Sequence, residues 1–253
     1  MARVGDPVWI DLAYRDPKEF AEFYAGLFGW RSEDMGEDFG HYQMLSTPDG
    51  TMIGGAAGPQ PGAPQEPVGW NVYLAAEHLE ELLAQVPAAG GMVLDEAMPV
   101  GELGTMARVA TPSGASVGLW QRDEFAGFGA EATQGTPVWF EQMSQGYAAD
   151  VEFYRQTLGW EPAEIEGGLN YVTNRPEREA TAGLCDAAGF LPASAGSYWR
   201  VYFQCDDVDA GVKRVIELGG ALLDGPMDSP FGRLATVADR EGGSFQIIAS
   251  AAR

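Results

Sequence analysis

Two short segments of the chain set an indole beside a carboxylate at the same spacing: Trp9-Ile10-Asp11 and Trp139-Phe140-Glu141. Side chains alternate along a strand, so residues two apart share a face, and each segment presents ring and acid together. A carboxyl group in an apolar aromatic setting has a raised pKa and can act as a general base. It can equally act as counter-ion to a cation stacked on the ring. Asp11 and Glu141 are therefore the candidate catalytic residues. Other chemistry is thinly represented. The chain has two histidines, His41 and His78, and two cysteines, Cys185 and Cys205. Neither histidine neighbours a candidate nucleophile in the sequence, so no Ser-His-Asp or Cys-His apparatus is legible. Two cysteines are too few for a four-cysteine zinc site and are expected to stay reduced and packed. There is no Gly-x-x-x-x-Gly-Lys phosphate loop and no dinucleotide fingerprint.

The elements that position these residues repeat. Pro7-Val8-Trp9-Ile10-Asp11-Leu12 recurs 130 residues on (137 minus 7) as Pro137-Val138-Trp139-Phe140-Glu141-Gln142, and Glu22-Phe23-Tyr24 recurs as Glu152-Phe153-Tyr154. Gly29-Trp30 falls on Gly159-Trp160, and Trp70-Asn71-Val72-Tyr73 falls on Trp199-Arg200-Val201-Tyr202. Such alignment over the whole length marks a duplication. The expected organisation is a first domain over 1–121, a linker over 122–135 and a second domain over 136–253. Within each half, a strand over Val8–Tyr14 precedes a helix over Lys18–Phe28, with Phe20, Phe23, Tyr24 and Leu27 at helical spacing. Asp16 is placed to cap that helix, Pro17 to open it and Gly29 to close it. Strands follow near 41–45, which carries His41, and near 52–56. The order then restarts with a strand at Trp70–Ala75, a helix at His78–Ala88 and strands near 92–94, 106–110 and 116–120. Each half is thus two β-α-β-β-β units. The segment Ala57–Gly69, with prolines at 59, 61, 64 and 67, reads as a surface loop.

Charge narrows the partners. Acidic side chains number 37 against 15 basic ones, a formal net charge of -22. That surface repels phosphate backbones and anionic membranes, so neither nucleic acid nor a membrane is an expected partner. No apolar run reaches the roughly 18 residues of a membrane span. The first six residues lack the apolar core of an export signal, so a cytoplasmic location is expected.

The strand, the Asp-Pro step, the helix ending in Phe-Tyr-x-x-Leu-Phe-Gly-Trp, and the later Thr-Pro-Ser-Gly-Ala-x-x-Gly-Leu-Trp resemble the vicinal oxygen chelate superfamily of glyoxalases, bleomycin-resistance proteins and extradiol dioxygenases. The layout is similar to that of tandem two-domain actinobacterial glyoxalase-like proteins. The resemblance implies an α+β fold of four βαβββ units, paired into two domains, each a curved, barrel-like mixed sheet around a cleft with helices outside. It implies that a metal enzyme of this kind would hold its ion with His and Glu from the first and last strands of each unit. Those positions fall here on Trp9, Trp70, Gly118 and close to Gly54, and in the second half on Trp139, Trp199, Gln246 and about Gly183. Tryptophan and glycine side chains donate no ligand atom, and a glutamine carbonyl is a weak donor. No metal and no other cofactor is therefore expected. A weak Mg²⁺ or Ca²⁺ site on Asp11 or Glu141 with water stays open.

If those positions face the cleft, its lining in the first half is Trp9, Asp11, Trp70, Val72, Leu74, Gly118 and Trp120. In the second half it is Trp139, Glu141, Trp199, Val201, Phe203, Gln246 and Ile248. Gly118 leaves room there, and the proline-rich loop could close over it, so the first half is expected to hold the better site. Such a lining suits a flat aromatic or cationic metabolite or antibiotic. The expected function is metal-independent binding of that molecule, of the resistance or sequestration type, by a monomer or homodimer. The alternative is a secondary-metabolism enzyme, isomerase, lyase or hydroxylase-like, with Asp11 or Glu141 as general base.

Overall fold

The local rules of the first helix hold in detail. The computed structural model describes residues 2–60, 62, 67–128, 131–165 and 170–250. After strand β1 (Pro7–Ala13), the Asp16 carboxylate accepts from the Lys18 and Glu19 amides and opens α1 (Pro17–Phe28). Gly29, at φ 75°, ends it in the left-handed region, where a side chain would be strained. Strands β2 (Arg31–Asp34), β3 (Gln43–Ser46) and β4 (Met52–Ala57) complete the first βαβββ module. The second is β5 (Gly69–Ala75), α2 (Leu79–Gln85), β6 (Met92–Val100), β7 (Gly104–Ala110) and β8 (Ser116–Arg122). The third is β9 (Pro137–Ser144), α3 (Tyr147–Leu158), β10 (Ala163–Glu164), β11 (Tyr171–Thr173) and β12 (Gly183–Asp186). The fourth is β13 (Tyr198–Gln204), α4 (Val208–Glu217), β14 (Ala221–Ser229), β15 (Gly232–Ala238) and β16 (Ser244–Ser250).

Each repeat makes one mixed sheet of eight strands, in the order β2-β3-β4-β1-β5-β8-β7-β6 and β10-β11-β12-β9-β13-β16-β15-β14. Both are unclosed, with β2 and β6, or β10 and β14, at their edges. Within a module the first and last strands pair parallel, which sets Asp11 against Gly55, Tyr73 against Gly118, Glu141 against Gly183 and Tyr202 against Gln246. The chain is thus an α+β protein of two tandem eight-stranded mixed sheets, each built from two βαβββ modules.

Several local expectations change. β2 is an edge strand whose four residues are all exposed, so it carries no apolar alternation to betray it. His41 is not on a strand but in a turn at φ 58°, with Nδ1 3.0 Å from Asp34. Helix α2 stops at Gln85, short of Ala88, because Pro87 offers no amide to continue it. In the proline-rich segment, 61 and 63–66 lie outside the described residues, as do 129–130 of the linker.

The chain folds as two compact units, each drawing on both repeats. The first comprises Met1–Trp9, Asn71–Gly127 and Phe140–Arg200; the second comprises Ile10–Trp70, Phe128–Trp139 and Val201–Arg253. The core of the second unit is a set of rings: Tyr24 stacks on Trp30, Phe28 lies 5.6 Å from Phe203, and Phe23 lies 6.4 Å from Phe245. Its polar seam is the Tyr24 hydroxyl, which donates to Asp239 at 3.0 Å. Burial pushes the carboxyl of Asp239 up, although the Gly243 amide and Tyr24 oppose this. In the first unit the buried Asp150 carboxylate accepts from the Ser113 amide and hydroxyl, Gln142 and Ser144. Buried charge is tolerated there because four donors satisfy it.

Candidate functional site

The geometry of β5 and β8 decides which residues share a face. The Tyr73 ring lies directly on Gly118, so closely that a methyl group at 118 would overlap it. The space expected beside Gly118 is therefore occupied by a phenol ring. Strand alternation then sends Trp70, Val72 and Leu74 to the opposite face. Trp70 indeed packs among Tyr24, Trp30 and Phe203, at 5.7, 6.0 and 5.1 Å between ring centroids. Val72 is fully buried. The second repeat does the same: Trp199 meets Tyr154 at 6.1 Å, and Phe203 joins the ring core. The lining expected from β5 and β13 is thus corrected by one residue, and a slip of one flips every side chain. Trp70, Val72, Trp199 and Phe203 are helix-side core, and the indole N–H groups of Trp70 and Trp199 find no acceptor among the described residues.

What does come together in the first unit is Trp9, Trp120, Gly118 and Tyr73. Phe125 sits edge-on to Trp9 at 5.1 Å and to Trp120 at 6.0 Å, and its carbonyl accepts the Trp120 indole N–H at 3.0 Å. The same unit carries Glu141. Its neighbours across the pairing are Gly183, covered by the Tyr171 ring as Gly118 is by Tyr73, and then Cys185 opposite Met143. Arg200 lies 3.8 Å from Glu141, and the Tyr198 hydroxyl accepts from Arg200 Nε and Nη2 at 3.3 and 3.1 Å. Tyr171, Leu191 and Tyr198 pack on a patch of Met143, Cys185 and Ala187.

The second unit carries Asp11, paired with Gly55, and Gly55 lies under Tyr42 as the other two glycines lie under their tyrosines. It also carries Trp139, and Gln246, whose side chain exchanges hydrogen bonds with the Thr236 hydroxyl. Asp11 and Glu141 are 7% and 8% exposed. Sequence reasoning missed Tyr42, Tyr171, Tyr198 and Arg200. Their signal is a strand glycine recurring beneath a tyrosine of a neighbouring segment, together with the exchange of Asn71 for Arg200 between otherwise matching segments.

A family model described as a glyoxalase-like domain matches residues 137–248. The chain is 33% identical to "Putative glyoxylase CFP32" of Mycobacterium bovis, over 97% of its own length and 95% of that protein's. The chain belongs to the glyoxalase-like branch of the vicinal oxygen chelate superfamily. It is also 33% identical to the anthracycline biosynthesis protein DnrV of Streptomyces peucetius, over 96% of this chain and 93% of that one. The Mn(II)-bound glyoxalase of Novosphingobium aromaticivorans shares the fold, with a TM-score of 0.67 at 17% identity, covering 98% of this chain and 82% of that one.

The superfamily's metal enzymes raise the question of a divalent ion here. The donor chemistry at the expected ligand positions does not fit a transition-metal ion. The strand positions expected to supply ligands hold Trp9, Trp139, Gly54, Gly118, Gly183 and Gln246, while Trp70 and Trp199 are in the core. Among the described residues no three His, Cys, Asp or Glu side chains come together. Likewise, among them no helix is long and apolar enough to cross a membrane.

The thiols of this glyoxalase-like chain are inert by position. Burial, then the nearby Glu141 charge, pushes the Cys185 thiol up to about 12, and burial raises Cys205 as well. At pH 8 only about one Cys185 in ten thousand is thiolate, the reactive form. Iodoacetamide at pH 8 is thus expected to leave both native thiols unmodified and to label both after denaturation, as read by intact mass. Rapid single labelling of the native protein would show that one thiol is activated.

Proposed function

We propose that this glyoxalase-like protein binds a small aromatic metabolite or antibiotic on the aromatic inner faces of its sheets, without a catalytic metal, as a sequestration or antibiotic-biosynthesis accessory protein. The observation that carries the reading is the substitution of rings for donors. Where metal ligands are expected the strands hold tryptophan, glycine or glutamine, and tyrosine side chains fill the space over Gly55, Gly118 and Gly183. Flat aromatic surface favours flat ligands through stacking. The likeness to the anthracycline biosynthesis protein DnrV supports a ligand from secondary metabolism. In this reading the protein works in the cytoplasm, as monomer or homodimer, and the small molecule is its partner.

A second reading rests on the burial of Asp11 and Glu141 beside aromatic rings. A desolvated carboxylate is a better base, and either residue could take a proton from a bound aromatic substrate in an isomerase, lyase or hydroxylase-like reaction. Native mass spectrometry of protein purified from its producing organism separates the two. Sequestration predicts recovery of one unchanged aromatic compound per chain, whereas the second reading predicts a new product with turnover. Elemental analysis of the same sample is expected to give well under one equivalent of Zn, Fe, Ni or Mn, and EDTA is expected to leave the thermal midpoint unmoved. A stoichiometric metal lost to EDTA together with stability would sink the metal-free reading.

A further inference from the structure

The segment that follows β8 lays a ring of its own on two indoles. Among Asp123, Glu124, Phe125, Ala126 and Gly127, the one large apolar side chain is Phe125. Its ring stands edge-on to Trp9 of β1, at 5.1 Å and 90°, and to Trp120 of β8, at 6.0 Å and 77°. Both indoles are buried and rooted in strands. The phenyl ring is only partly buried and hangs from chain that belongs to no strand or helix. Few bonds hold that chain down. The Asp123 and Phe125 amides donate to the Leu103 carbonyl and the Glu124 amide to that of Glu102, both in the exposed turn between β6 and β7. The Trp120 indole N–H donates to the Phe125 carbonyl at 3.0 Å. Water can take over each of these bonds when the segment lifts, so lifting costs little beyond the contacts of the ring itself. Nor does the sheet need this packing. In the second repeat Ile248 takes the position of Trp120, and it is buried in β16 with no indole there.

Beside the ring contact lies a cavity of about 190 Å³, whose walls include Val4, Val8, Ala75, Ala76, Trp120 and, from the segment itself, Ala126. A cavity of roughly 150 Å³ already holds a benzene ring. Trp120 is therefore shared between the position of the Phe125 ring and a space large enough for a second ring.

We propose that Trp9 and Trp120 form a binding site for one ring of a planar, fused-ring aromatic compound, that Phe125 fills this site in the free protein, and that the ligand enters by displacing Phe125, with its remaining ring in the cavity beside Trp120. Phe125 is then a competitor built into the chain. A compound offering no more stacking surface than one phenyl ring gains nothing by replacing it, so the site rejects single-ring compounds. This rests on the proposed binding of an aromatic ligand and names where in the first unit it binds and what it displaces.

The test titrates the full chain with 2-naphthamide and with benzamide by calorimetry. Wild-type affinity is reduced by the fraction of time that Phe125 leaves the site, so Phe125→Ala should bind 2-naphthamide at least about fivefold more tightly. The same variant should gain measurable binding of benzamide, and adding Trp9→Leu to it should remove most of both gains. Hydrogen exchange on wild type needs no variant: saturating 2-naphthamide should speed exchange of the amides of Asp123, Glu124 and Phe125 by about tenfold or more, because their bonds to the turn open. Weaker 2-naphthamide binding in Phe125→Ala, or slower exchange in the segment, would make Phe125 a wall of the site and overturn the displacement. Unchanged affinity with unchanged exchange would put the ligand elsewhere, overturning this site while leaving the aromatic reading standing. Failure of both wild type and Phe125→Ala to bind either probe would overturn both proposals together.

Discussion

Replacing Trp70 by alanine is expected to destabilise the protein by about 4 kcal/mol, within the range for truncating a buried aromatic ring. That is a large fraction of a typical domain's stability. Trp70 is enclosed by Tyr24, Trp30 and Phe203 and buries its whole side chain, so truncation opens a cavity between three rings. Trp70→Phe should cost far less, about 1 kcal/mol. It keeps a ring in place and removes an indole N–H that has no acceptor among the described residues. Trp9→Leu is the contrasting change. Trp9 meets Phe125 beside Trp120 and Tyr73, so losing its ring should weaken an aromatic ligand several-fold to tenfold and lower stability less. Urea midpoints and a ligand titration on the three variants check this. A Trp70→Ala protein that keeps its stability and loses its ligand would return Trp70 to the binding face.

The contrast shows what could be read before the structure. The duplication, the βαβββ order and the capping of α1 by Asp16 and Gly29 follow from spacing and local chemistry, because helix caps and periodicity are written within a few residues of where they act. Exposed β2 could not be read, since an edge strand with four polar, solvated residues leaves no alternating pattern. The faces of β5 and β13 failed for a different reason. Large side chains are buried on both faces of these strands, Trp70 and Trp199 on one and Tyr73 and Tyr202 on the other, so hydrophobicity does not distinguish Trp70 from Tyr73. Only the partner settles it: Gly118 lies opposite Tyr73 and admits its ring. Asp11 and Glu141 stand out in the sequence because they are the acids in otherwise apolar strands. Arg200 was passed over because arginine usually marks a solvated face.

The pairing of segments within each compact unit bears on how the chain folds. A protease site placed at residues 129–130 and then cut is expected to leave one species, with both fragments bound and the thermal midpoint within a few degrees of the intact chain. Fragments 1–129 and 130–253 made separately should be largely unfolded and should regain native circular dichroism on mixing. In the second unit, α1 of the first repeat rests on the last module of the second: Phe23 faces Phe245, Phe28 and Trp70 face Phe203, Tyr24 donates to Asp239, and Arg240 pairs with Glu19. In the first unit, the Trp160 indole donates to Gly5, Arg175 pairs with Asp6, and Asp150 takes two of its donors from Ser113. A lone first repeat would uncover one side of Phe23, Tyr24, Phe28, Trp30 and Trp70. At about 100 Å² each, roughly half of each ring's burial, and 25 cal/mol per Å², that loss is on the order of 10 kcal/mol. The whole stability of an ordinary domain is of that size, so a separated repeat has nothing left to hold its sheet. The linker matters less than these faces, because once both fragments are docked the cut removes only the advantage of tethering. Two fragments that each melt cooperatively on their own would show that the repeat, and not the compact unit, is what folds.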